Sequence, residues 1–306
     1  MCNHACGKVR IMKEYTGFAE VYDMFMDNVP YDKWAKYLQK LLRENGAKEG
    51  IVCELGCGTG KMTRRLRDMG YDMIGIDISS EMLQIAMEQE TALKKTETQN
   101  ADICKAESKH AKSDKKNNYE ILYLNQDMRE FELYGTVAAV VSICDSMNYI
   151  TEKEDLLTTF KLVRNYLDPG GVFIFDMNTP YYYRKKLGEQ TICENRDEGS
   201  FIWENYYDPD TKINEFDMTI YIRRNSEGQN ASKTSKNRKA AGKTQADTAV
   251  YYDRFEETHF QRAYSISEVK ALLKKAGLKD IKVYKAFTKD VPDPVTERVY
   301  FLAKKD

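Results

Sequence analysis

Net charge is almost absent from this chain. Its 47 Lys and Arg against 48 Asp and Glu leave a formal charge of −1 over 306 residues. Overall charge therefore offers no pull toward nucleic acid or an anionic membrane. Long apolar runs are missing too, and no stretch approaches the roughly 18 residues that would cross a bilayer. Met1 to Arg10 lacks the apolar segment of a secretory signal. Histidine is scarce, with three in the chain. Cys2 and Cys6 flank His4, which suits either a metal site or a disordered tail; with no second pair nearby, no metal is expected. The seven cysteines are scattered, and Cys53 and Cys57 fall in or beside an expected strand. That usage fits reduced thiols in a cytoplasmic protein.

What remains is an ordinary globular composition, 42% hydrophobic and 31% charged. The length suits one core domain with a smaller insertion. Glu14 to Arg43 reads as helical, with Phe18, Val21, Tyr22 and Phe25 and then Trp34, Tyr37, Leu38, Leu41 and Leu42 at helical spacing; Pro30 separates the two runs. Strands at Ile51–Leu55, Met73–Asp77, Ile121–Leu124, Val137–Ile143 and Val172–Phe175 alternate with amphipathic helices. The turn Asp168-Pro169-Gly170-Gly171 precedes the fifth strand. Thr151 to Glu154 and Ser265 to Glu268 read as capping boxes opening helices. Ile281–Tyr284 and Arg298–Ala303 have no long helix between them, so an antiparallel final hairpin is expected.

This alternation predicts an α/β, Rossmann-like doubly wound fold with a mostly parallel seven-stranded sheet. Phe201 to Arg223 and Val250 to Tyr264 interrupt it as a small inserted antiparallel β lid. The expected organisation is a helical cap over residues 1–48, a core over 49–186 and 264–306, and a lid over 187–263. Segments 95–118 and 225–248 are too polar to bury much surface and read as flexible insertions.

Three features converge on one site. Gly56, Gly58 and Gly60 follow a strand that carries Glu54 and precede a helix, a turn that lets backbone approach a ligand. A dinucleotide fingerprint would need glycine at position 61, where Lys61 stands. Asp77 ends the next strand, seventeen residues beyond the last glycine. It suits either acceptance of ribose hydroxyls or helix capping. Asp127 follows the third strand with Met128 beside it, a carboxylate and a thioether suited to an adenine amino group and ring.

Together, Glu54-Leu55-Gly56-Cys57-Gly58-Thr59-Gly60, Asp77, Asp127 and the Asp168–Gly171 turn resemble class I S-adenosylmethionine-dependent methyltransferases. The run Tyr15-Thr16-Gly17-Phe18-Ala19-Glu20-Val21-Tyr22-Asp23 and the later Pro30-Tyr31-Asp32-Lys33-Trp34 resemble the YqeM-like bacterial subgroup. The resemblance implies S-adenosyl-L-methionine as cofactor and S-adenosyl-L-homocysteine as product. It implies Gly56 and Gly58 beneath the methionine part and ribose, with Cys57 and Gly60 completing the turn. It places Asp77 on the ribose, Ile78, Asp127 and Met128 around adenine, and the Cys144 carbonyl near its amino group. Tyr15 and Tyr22 either cover the cofactor or pack a helix face.

A sulfonium methyl is already electrophilic, so alignment and desolvation suffice and no base is required. After the fourth strand stands Cys144-Asp145-Ser146-Met147-Asn148-Tyr149, without the Pro-Pro of enzymes that methylate exocyclic base nitrogens or glutamine. Asp145, Ser146 and Asn148 either orient an acceptor or cap the next helix. On the lid, His259 is a candidate base or a surface residue. Trp203, Tyr206, Arg254 and Arg262 are candidate acceptor contacts, although both arginines also suit pairing with Glu256 or Glu257. A small-molecule acceptor is the leading expectation, with the protein a monomer or homodimer and no membrane partner. An RNA methyltransferase using the Lys-rich insertions and a non-catalytic cofactor-binding scaffold are the alternatives.

Overall fold

The computed structural model describes residues 19–107, 119–224 and 250–306, with backbone alone at 20 and 97–107. Two short helices lead: α1 (Ala19–Phe25) and α2 (Tyr31–Glu44). Pro30 precedes α2, and Tyr31, Trp34, Leu38, Leu41 and Leu42 bury one face of it. The core then runs β1 (Ile51–Leu55), α3 (Lys61–Asp68), β2 (Asp72–Asp77), α4 (Ser80–Glu107), β3 (Leu122–Asn125) and β4 (Val137–Ser142). It continues through α5 (Lys153–Tyr166) and β5 (Leu167–Asn178). Strands β6 (Thr191–Asn195), β7 (Gly199–Asp208), β8 (Ile213–Arg224) and β9 (Tyr251–Arg262) intervene before α6 (Ile266–Lys275), β10 (Lys279–Lys285) and β11 (Arg298–Lys304).

Seven strands form one sheet in the order β10-β11-β5-β4-β1-β2-β3. Neighbours from β5 to β3 are parallel, and β11 runs antiparallel to both β5 and β10. β4 is almost wholly apolar because helices cover both faces of the sheet. Phe160, Phe173, Phe175 and Phe301 fill one side, and Trp34, Leu38, Leu66 and Ile174 the other. The strand order reverses between β1 and β4, which opens a crevice at their carboxyl ends.

The second sheet is antiparallel, β6-β7-β8-β9. Alternate residues Phe216, Met218, Ile220 and Ile222 of β8 face inward and pack with Val21 and Phe25 of α1. The Phe25 and Phe201 rings meet edge to face at 4.8 Å. α1 thus lies between this sheet and the crevice.

Three local expectations change. α4 extends to Glu107, into the segment read as a polar insertion, whose Glu, Gln, Ala and Lys are good helix formers. Residues 108–118 and the other insertion, 225–248, lie outside the described residues. The Ser265–Glu268 capping box is present, but Thr151 caps nothing: α5 starts at Lys153 with no side-chain cap. The Thr151 carbonyl instead accepts from Arg262 at 3.0 Å. Asp168 to Gly171 does not precede β5 but forms its irregular start, where Gly170 at φ 77° donates to the Lys305 carbonyl at 3.0 Å.

Candidate active site

The crevice is a cleft of about 450 Å³, within the range of small-ligand sites. Of the residues singled out in the sequence, Tyr22, Glu54, Gly56, Cys57, Gly58, Asp77, Ile78, Asp127, Met128 and Cys144 all line it. Gly60 does not; it is the N-cap of α3 at φ 74°. Tyr15 and the Cys2–His4–Cys6 cluster lie outside the described residues.

The glycine turn is shaped by close approach. Gly56 sits at φ 71°, and a Cβ there would fall 2.6 Å from Ser146 Oγ. The Gly58 amide donates to Asp77 Oδ2 at 2.7 Å, and the Ser79 amide to Oδ1 at 2.9 Å. Burial raises the Asp77 pKa against these two donors. Glu54, buried behind the turn, accepts from the Thr63 hydroxyl at 2.5 Å. Burial pushes its pKa up to about 8, so it is mostly protonated at neutral pH.

α1 is fastened to the turn through Asp23. Its carboxylate accepts from Thr59 Oγ1 at 2.7 Å and Gln89 Nε2 at 2.5 Å, and Lys61 Nζ lies 3.3 Å away. Tyr22 then reaches the cleft beside Tyr31. Burial raises both phenols, so they stay neutral donors.

Across the sheet, Asp127 is engaged. Arg129 Nε lies 3.0 and 2.9 Å from its two oxygens, and the Arg129 amide donates at 2.8 Å. Burial pulls the Asp127 pKa up, but these donors outweigh it and leave it lowered.

The polar turn after β4 behaves differently from the expectation of acceptor contacts. Cys144 and Asp145 both take left-handed backbone, at φ 65° and 52°. The Asp145 carboxylate faces away from the cleft. It accepts from Arg298 Nη2 at 2.6 Å and Gln261 Nε2 at 2.8 Å, while its amide donates to Asp176 Oδ1 at 2.8 Å. Arg298 also donates to Asp176 Oδ2 at 2.6 Å. Asn148 is fully buried. It donates to the Arg262 and Asn178 carbonyls and accepts the Asn178 amide at 3.0 Å, a clamp between β5 and β9.

The lid candidates do not line the cleft either. His259 is not a surface residue: it is wholly buried, 3.1 Å from Glu257 Oε2, with its ring stacked on Phe216 at 4.9 Å. It meets the cleft through Tyr149, whose ring stands edge-on at 6.0 Å. Trp203 packs on Phe216, and Tyr206 is exposed on the outer face. Arg254 pairs with Glu256 at 2.5 Å, two residues along its own strand. Arg262 is spent on Thr151 and on the Tyr264 ring. Their alternation along extended strands could not say which face meets the core.

Tyr31, Thr59, Lys61, Ser79, Gln126, Ser146 and Tyr149 line the cleft although the sequence reading gave them no cofactor role. Two carried a signal: Tyr31 follows the helix-starting Pro30, and Lys61 replaces the glycine of a dinucleotide fingerprint. Among the described residues, no group of three or more His, Cys, Asp or Glu is placed to hold a metal ion, and no helix is long and apolar enough to cross a membrane.

A family model described as "Methyltransferase domain" matches residues 25–283. The protein YqeM of Bacillus subtilis (strain 168) is 31% identical over 292 residues, covering 95% of this chain and 97% of its own. A dTDP-3-amino-3,6-dideoxy-alpha-D-glucopyranose N,N-dimethyltransferase of Streptomyces fradiae is 22% identical over 176 residues, 56% of this chain and 58% of that one. In fold, the chain resembles a solved S-adenosylmethionine-dependent methyltransferase from Clostridium acetobutylicum ATCC 824, with a TM-score of 0.71 and 24% identity over 95% of this chain and 98% of that one. The chain belongs to the methyltransferase-domain family.

Proposed function

We propose that this enzyme methylates a nucleophilic atom of a small molecule by in-line displacement, chiefly through alignment and exclusion of water. The observation that carries the reading is the single cleft shared by the bare Gly56–Gly58 turn, the Asp77 carboxylate and three tyrosines, Tyr22, Tyr31 and Tyr149. Asp77 is the ribose acceptor, since each of its oxygens keeps a lone pair beyond its backbone amide. Ile78, 58% exposed, and Met128 supply the apolar flanks for adenine. Asp127 serves the adenine amino group by sharing its carboxylate with Arg129. The cofactor supplies an electrophilic methyl on a sulfonium when bound.

At the other end, Tyr22, Tyr31, Tyr149 and Cys144 wall the space where an acceptor meets that methyl. Burial also raises the Cys144 thiol, which keeps it protonated and out of competition as a nucleophile. The α1 helix and the four-stranded sheet stand over these tyrosines and exclude water. Holding a nucleophile in line contributes about 7 kcal/mol or more, so no side-chain base is needed. His259 and Glu257 act through Tyr149 as positioning residues. The amino-sugar N,N-dimethyltransferase among the relatives supports a small acceptor.

The test is an isotopically labelled methyl donor incubated with a metabolite extract and total RNA, with Asp77→Ala as control. Label in a small product, absent with the variant, is the expected result. Label confined to RNA would overturn the proposal.

A further inference from the structure

The cationic side chain of Lys61 has no part in this scheme. Lys61 opens α3, and its side chain lines the cleft at 19% exposure. Its ammonium donates to the Asp23 main-chain carbonyl at 3.0 Å and lies 3.3 Å from Asp23 Oδ1. The Tyr31 ring centroid is 5.2 Å away. Among the described residues the cleft holds one other cation, Arg129, which follows β3 two strands away and is clamped by Asp127.

We propose that Lys61 binds the α-carboxylate at the tail of the cofactor, and so separates tailed from tail-less adenosyl thioethers. The inference rests on the cofactor placement above. With the ribose at Asp77 and the chain passing Gly56, the tail runs along the glycine turn toward α3 and α1. There Lys61 is the cation in reach among the described residues. An ammonium has three donors, and its two contacts to Asp23 leave capacity for a carboxylate oxygen. Partial burial strengthens the pair relative to open water, and the Tyr31 face holds the ammonium in place. Asp23 also accepts from Thr59 and Gln89. A carboxylate on Lys61 therefore docks onto the clasp that fastens α1, the helix carrying Tyr22.

Calorimetric titration with three ligands tests this: S-adenosylhomocysteine, its decarboxylated analogue that keeps the amine, and 5′-methylthioadenosine, which lacks both groups. The wild-type protein is expected to bind S-adenosylhomocysteine at least about tenfold more tightly than the decarboxylated analogue. Lys61→Met should erase that gap by weakening S-adenosylhomocysteine alone, and Lys61→Arg should restore most of it. Added salt should narrow the gap in the wild type. Equal weakening of all three ligands by Lys61→Met would mark a merely structural lysine and overturn the proposal. So would an intact gap, which would put the carboxylate elsewhere. If the folded wild-type protein binds none of the three, the cofactor placement itself fails.

Discussion

The Gly58 amide donates to Asp77 at 2.7 Å, so the turn after β1 and the end of β2 form one hydrogen-bonded unit. Asp77→Asn keeps the size of the side chain but replaces one acceptor oxygen with a donor. Affinity for S-adenosylhomocysteine should fall by about 1.5–3 kcal/mol, the range for hydrogen bonds to a charged group. Calorimetry checks it, and an unchanged affinity would remove Asp77 from the cofactor site.

Gly56 is constrained twice, by φ 71° and by Ser146 Oγ 2.6 Å from a would-be Cβ. Gly56→Ala should destabilise the fold by about 1–3 kcal/mol through backbone strain alone, and more with the clash. Adding Ser146→Gly should recover the clash component but not the strain. Denaturant unfolding of the single and double variants measures both; identical stabilities would show that the contact with Ser146 costs nothing.

Glu54 predicts a pH dependence of stability. Its folded pKa, about 8 through burial, exceeds the ordinary glutamate value. The native state therefore holds this proton more tightly than the unfolded chain. The resulting stabilisation is complete below about pH 4.3 and is lost as pH rises toward 8. Glu54→Gln cannot ionise, and its amide oxygen still accepts from Thr63. Between pH 5 and 8 the Tm of the wild type should fall more steeply than that of the variant. Parallel profiles would contradict the assignment.

Arg298 compensates two carboxylates, Asp145 and the fully buried Asp176. Burial alone would lower the Arg298 pKa, and the two aspartates more than reverse that. Arg298→Met should destabilise the protein by about 3–5 kcal/mol, because it strands buried charge. Adding Asp176→Asn should recover part of the loss. Chemical denaturation reads both, and strict additivity of the two substitutions would refute the coupling.

Much of this arrangement is visible in the sequence because it is local. Ile51 to Leu55, the glycines after it and Asp77 lie within a short span whose periodicity and turn chemistry determine their geometry. Asp145, Asn148 and His259 escaped because their partners are distant in sequence. Gln261 and Arg298 come from β9 and β11 to meet Asp145, and the Asn148 amide answers carbonyls of β5 and β9. On β9 the alternation Glu257, His259, Gln261 reads as a polar outer face, yet all three are buried. Thr151 does not cap α5, whose N-cap falls one residue later at Glu152, and its carbonyl instead meets Arg262 of the lid strand. At 95–107 the polar composition hid a backbone that is helical.

β11 sits inside the sheet, between β5 and β10, rather than at an edge. Until Arg298 to Lys304 has left the ribosome, β5 has no partner on that side and Asp176 has no counter-ion. Nascent β5, with Phe173 and Phe175 uncovered by Phe301, is then a sticky open edge. Completion of the central sheet must wait for its late-arriving strand, so the β5 edge stays open from its own synthesis until β11 follows more than a hundred residues later.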